Sequence, residues 1–96
     1  MSLRVIATLR AQPGKEAELR DVLAALIHPT REEDGCIAYQ MLENRDDPAE
    51  FTFVEEWEDG AALDAHFEAA HMQAAAEIMP HLLAEELDLR RYDLVS

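Results

Sequence analysis

Apolar residues in this chain recur with two different periods, and the order in which those periods alternate constrains the fold more than any other feature. In LRVIATLRA, Leu3, Val5, Ala7 and Leu9 alternate with Arg4, Ile6, Thr8 and Arg10, the two-residue period of a strand with one strongly apolar face. QPG ends it. From Lys15 onward, Leu19, Val22, Leu23, Leu26 and Ile27 fall at i, i+3, i+4, i+7 and i+8, the stripe of an amphipathic helix. Pro29 lacks an amide hydrogen and clashes with the carbonyl four residues back, so a kinked extension is expected to run toward Asp34 and stop at Gly35. CIAYQMLEN and EFTFVEEWE then read as two strands joined by the polar turn RDDPA, an antiparallel hairpin. Asp59 is placed to cap a helix with the apolar face Leu63, His66, Phe67 and Ala70, which Met72, Ala75, Ala76 and Met79 continue up to Pro80. A short turn over 81–84 and the strand ELDLRRYDLV, with Leu87 and Leu89 alternating with charged residues, complete the chain.

The order β-α-β-β-α-β is that of an α+β, ferredoxin-like protomer: an antiparallel four-stranded sheet with helices on one face. The other face is left bare, and two such sheets facing one another would form a dimeric α+β barrel. With 96 residues, 49% apolar, and no linker or repeat, one domain over 1–96 is expected. So small a domain leaves much surface exposed, a second reason to expect a homodimer. Eight Lys and Arg against 21 Asp and Glu give a net charge of −13, which argues against nucleic acid and against anionic membranes as partners. The single cysteine, Cys36, excludes an internal disulfide and reads as a small core residue. No long apolar run is present, so a cytoplasmic protein is expected.

Strand parity puts Phe51, Phe53, Glu55 and Trp57 on one face, with Glu56 on the other. A carboxylate among aromatics must be hydrogen-bonded, charge-paired or partly neutral with a raised pKa. His66, on the apolar face of the following helix, is the candidate partner of Glu55, making a Glu/His acid-base pair. Tyr39, read as facing the same way as Ile37 and Met41 on the neighbouring strand, and Phe67 would add an aromatic wall and a phenolic hydroxyl. His71 lies five residues after His66, about 140° around a continuous helix, so the two need not share a pocket. All of these residues have a structural alternative, in the core or clamping helix to sheet. For a metal the spacing is unfavourable: His28, His66, His71 and His81 form no recognised ligand motif, and i, i+5 falls off one helical face. The only serines, Ser2 and Ser96, are terminal, and no nucleophile sits beside a base.

Four segments, RVIATLRAQPGKEAEL, REEDGCIAYQM, FTFVEEW and AALDAHFEAAHM, together resemble the antibiotic biosynthesis monooxygenase domain family, which includes quinol monooxygenases. The likeness rests on the PGK run, the acid-x-Gly-Cys-x-x-Tyr of Glu33 to Tyr39, the Glu-x-Trp of Glu55 and Trp57, and the spacing of His66 and His71. It implies a dimeric α+β barrel with a pocket between sheet and helices, in which a quinol or polyphenolic aromatic is oxidised by O2 with no cofactor. Carried over, His66 and Glu55 would be catalytic, and Trp57, Tyr39, Phe53, Phe67 and His71 would form the substrate site. Haem-degrading relatives carry an Asn on the first strand, where this chain has Ala7 and Thr8, so haem degradation is disfavoured. Two alternatives stay open: a non-catalytic small-molecule-binding or stress-associated dimer, and an isomerase of a small phosphorylated ketone, for which Arg10, Arg45, Arg90 and Arg91 are the available cations.

Overall fold

The computed structural model describes residues 2–96, so Met1 of the expected domain lies outside the described residues. Four strands, β1 (Leu3–Arg10), β2 (Cys36–Glu43), β3 (Glu50–Trp57) and β4 (Asp88–Tyr92), form one sheet in the order β2-β3-β1-β4, every pairing antiparallel. The first crossover carries α1 (Glu16–Ala24) and α2 (Ile27–Arg31), and the second carries α3 (Gly60–Glu68), α4 (Ala70–Ile78) and a 3-10 turn at Met79–His81. This is the α+β, ferredoxin-like arrangement expected from the alternation of periods.

The core lies on one side of the sheet. Val5, Ala7 and Leu9 of β1 and Phe51, Phe53 and Trp57 of β3 are buried against Leu19 and Leu23 of α1 and Leu63 of α3. On the other side, Ile6, Thr8, Thr52, Val54 and Glu56 keep partial exposure. No helix among the described residues is long and apolar enough to cross a membrane.

Departures from the expected elements have local causes. A β-bulge between Cys36 and Ala38 leaves Ile37 as the extra residue, so it turns outward (53% exposed) while Tyr39 and Met41 keep the inward parity. The Pro29 segment forms the separate helix α2, and the turn after it ends at Gly35 with φ +85°. A Cβ at Gly35 would stand 2.6 Å from the Cβ of Ala62, so glycine is needed there both for its backbone and for close approach to α3. That approach sets Glu33 over the helix.

The long second helix expected up to Pro80 is two helices, followed by the 3-10 turn. Ala69 is extended (φ −64°, ψ 145°), ending α3 and starting α4. Alanine has no intrinsic reason to break a helix. The carbonyl of Phe67, orphaned by the break, accepts the side-chain amide of Gln73 at 2.8 Å, and the Ala69 carbonyl accepts from both Met72 and Gln73 at 3.0 Å. Asp59 caps α3 as expected, its Oδ1 accepting from the Ala62 amide at 2.9 Å.

Candidate functional site

Beneath the helices the sheet holds a cavity of about 260 Å³, walled by Tyr39, Phe53, Phe67, Leu23, Leu26 and Met72, with Met79, Leu87 and Leu89 also lining it. Its surface is almost wholly carbon, and Glu55 and His66 are the ionisable carboxyl and imidazole that reach it. Such a pocket, apolar with a few placed polar groups, has the character of a small-molecule site.

Glu55 owes its place to strand parity and is 5% exposed. Its Oε1 accepts a hydrogen bond from the indole Nε1 of Trp57, two residues along the same face, at 2.8 Å. Burial pushes the carboxyl up to about 7; the Trp57 hydrogen bond opposes this and the charge of Glu33 adds to it. The partner of Glu55 is therefore its own strand neighbour, and the expected hydrogen bond to His66 is not formed. Trp57 is completely buried behind this pair and does not line the cavity.

His66, 2% exposed on α3, packs its ring 4.7 Å from Trp57, 5.4 Å from Phe67 and 5.8 Å from Tyr39. Its Nδ1 lies 2.7 Å from Oε2 of Glu33. A carboxylate can only accept, so the hydrogen sits on Nδ1, and Nε2, which has no protein hydrogen bond among the described residues, keeps its lone pair. Burial holds the imidazolium form of His66 below its usual range, with Glu33 acting in the opposite sense. The ring is thus kept neutral, as a proton acceptor must be.

His71 reaches the same oxygen, its Nε2 2.8 Å from Glu33 Oε2 and 3.3 Å from the hydroxyl of Thr30, which is fully buried. The break at Ala69 reorients α4 and makes this possible, which a continuous helix at i, i+5 would not. His71 stands behind Glu33 and does not line the cavity. Tyr39, Phe53 and Phe67 do line it. Burial, reinforced by the charge of Glu55, pushes the Tyr39 phenol far above its usual value, so it stays a neutral hydroxyl. Cys36 is likewise raised by burial first and by Glu33 and Glu55 next, which leaves an unreactive thiol.

Two residues for which periodicity suggests no role, Glu33 and Thr30, complete the site. The sequence signal for Glu33 is its position two residues before Gly35, since a helix-ending glycine pressed on another helix delivers what precedes it to that helix. Glu33 Oε2, His66 Nδ1 and His71 Nε2 all lie within 4.8 Å of one another, so spacing along the chain does not exclude a metal ligand set in three dimensions.

Comparison with known proteins agrees with this architecture. Residues 2–78 match the family described as Antibiotic biosynthesis monooxygenase. The protein sll1783 of Synechocystis sp. is 32% identical over 92 residues, which cover 96% of this chain and 63% of that relative, so the chain spans under two thirds of its length. YgiN of Escherichia coli K12, named a probable quinol monooxygenase, is 29% identical over 85 residues, covering 78% of this chain and 82% of YgiN. The crystal structure of PA3566 from Pseudomonas aeruginosa superimposes with a TM-score of 0.94 at 32% identity, covering 99% of this chain and 95% of that one. By sequence and by fold, the chain belongs to the antibiotic biosynthesis monooxygenase family.

Proposed function

We propose that the protein is a monooxygenase that hydroxylates a small quinol or polyphenolic aromatic with O2, using no added cofactor. The observation that carries this reading is the neutral His66, fixed through Nδ1 by Glu33 at 2.7 Å and bordering an apolar cavity. A hydroxyl of a ring bound there donates its proton to Nε2. The resulting phenolate gives up an electron to O2 far more readily than the phenol does, and the superoxide and ring radical combine at a ring carbon. Heterolysis of the O–O bond then yields a hydroxylated quinone and one water, so the substrate supplies every electron. Water exclusion by the carbon walls favours the step, since charge formed in a dry site interacts more strongly with the groups around it.

In this scheme Glu33 has the orienting role first expected of Glu55. Glu55, with its pKa near 7 and its place on the cavity wall, is the second proton-exchanging group, suited to returning a proton to the leaving oxygen. An oxygen-electrode assay with a panel of quinols in the presence of chelator tests the proposal. His66→Ala should lower kcat by roughly 10²–10⁴-fold, and equal background uptake by both proteins would refute it. The non-catalytic alternative is favoured by the carbon-rich walls alone, and ligand-induced thermal stabilisation without turnover would support it. The isomerase is not favoured: neither Lys nor Arg lines the cavity, Arg10 is held by Asp47 at 2.7 Å, and Arg90 by Asp88 at 3.0 Å.

We also propose that the open sheet face pairs with a second copy of the chain. Arg4 on that face has a buried Nε with no hydrogen-bond partner among the described residues, and its strand neighbour Tyr92 is 45% exposed. Leu42, paired with Thr52 on the same face, is 51% exposed. A facing chain would supply the missing acceptor and cover the apolar side chains.

A further inference from the structure

We propose that Glu33, His66 and His71 form a binding site for one divalent transition-metal ion of the zinc, cobalt or nickel class. Three elements distant in sequence, the turn before Gly35, α3 and α4, bring one ligand atom each to one place, all within 4.8 Å of one another. The two imidazole nitrogens share a single carboxylate oxygen at 2.7 and 2.8 Å, so the space between the three atoms is held by hydrogens in the metal-free protein. A metal ion can take the place of those hydrogens.

Tetrahedral zinc has ligands at about 2.0–2.1 Å, which sets neighbouring ligand atoms roughly 3.4 Å apart. Each nitrogen then has to retreat from Glu33 Oε2 by roughly 0.6 Å. His71 has the freedom to do so, being 23% exposed at the start of α4, and Glu33 is 15% exposed in a turn. His66, 2% exposed and packed between Trp57 and Phe67, is the fixed ligand. Two imidazoles and one carboxylate suit borderline transition ions rather than Mg²⁺ or Ca²⁺, which prefer oxygen alone. Three protein ligands leave a fourth position for water.

For the reaction, a bound ion has a consequence that rests on the reading of His66 as the base. A neutral imidazole bound to metal through Nδ1 carries its hydrogen on Nε2, so His66 becomes a donor toward the cavity and cannot accept the substrate proton. The ion would act as an inhibitor displaced by chelation.

Binding is tested with Co²⁺ alone, whose visible d–d bands report low-coordinate nitrogen and oxygen ligation without any turnover. One equivalent should give these bands in the wild type and in His28→Ala, which removes the exposed pair of His28 with Glu32. The bands should be lost in His71→Ala and weakened at least tenfold in affinity in Glu33→Gln. Absence of the bands in the wild type, or their survival in both variants, would overturn the site. Should a variant fail to fold, long-range ¹H–¹⁵N spectra of the wild type decide: one equivalent of Zn²⁺ must shift Nδ1 of His66 and Nε2 of His71, and unshifted nitrogens refute the proposal. Loss of quinol oxidation in the chelated protein would bear on the monooxygenase reading alone, since the Co²⁺ bands do not depend on it.

Discussion

Glu55 shows how one buried carboxyl can lower stability. Its pKa is about 7 in the folded chain against an ordinary 4.5, so the fold prefers the neutral form. Below 4.5 the carboxyl is neutral in both states and makes no difference. As pH rises toward 7 the unfolded chain ionises freely while the buried group resists, and above 7 the full penalty is present, about 3 kcal/mol at 1.36 kcal/mol per unit. Glu55→Gln keeps an oxygen for the Trp57 indole and removes the charge. Its denaturation midpoint should exceed that of the wild type at about pH 8 and converge with it near pH 4.5; a stability difference independent of pH would contradict this. For His66 the corresponding prediction is kinetic: His66→Ala loses turnover while retaining much of its affinity for a quinol, read as a fall in kcat with little change in KM.

At the scale of elements, the site depends on two interruptions of helical structure, at Gly35 and at Ala69. Gly35→Ala places a methyl group 2.6 Å from the Ala62 Cβ at a φ of +85°, so thermal or urea unfolding should report a loss of about 2–4 kcal/mol. Removing the cap of α3 with Asp59→Ala should lower stability by about 1 kcal/mol in the same measurement. These interruptions also mark how far the sequence can be read. Period two and period 3.6 are enough for the strand order and for the side of β3 on which Glu55 lies, because burial enforces parity. Gly35 is visible as a stop, and Pro29 as an interruption. The break at Ala69 is not, because Glu68, Ala69 and Ala70 all favour helix. It is held instead by Gln73, which covers the Phe67 carbonyl, and by Glu33, which draws His71 toward it. Packing also decides the partner of His66. Glu33 meets it across 33 residues of chain, a contact that no period encodes, whereas Glu55 is near in sequence and bonds elsewhere.

For the whole molecule, one chain of 96 residues forms a cavity between sheet and helices and leaves the opposite sheet face partly open. Light scattering on the purified protein should give twice the 10.8 kDa mass of one chain, and Val54→Glu, which adds a charge to the middle of that face, should give the monomer. A wild type that is monomeric at every concentration would refute the paired sheet. The acidic surface repels anionic partners, and the cavity beneath the helices is lined almost wholly by carbon. Central to the proposed chemistry is that His66, held by Glu33, removes a proton from a hydroxyl bound in that cavity. Its most direct test is the anaerobic absorption spectrum of a bound quinol, at a pH below the solution pKa of the ligand. The anion spectrum is expected in the wild type and the neutral spectrum in His66→Ala; a neutral spectrum in the wild type, or the same anion spectrum in both, would contradict it.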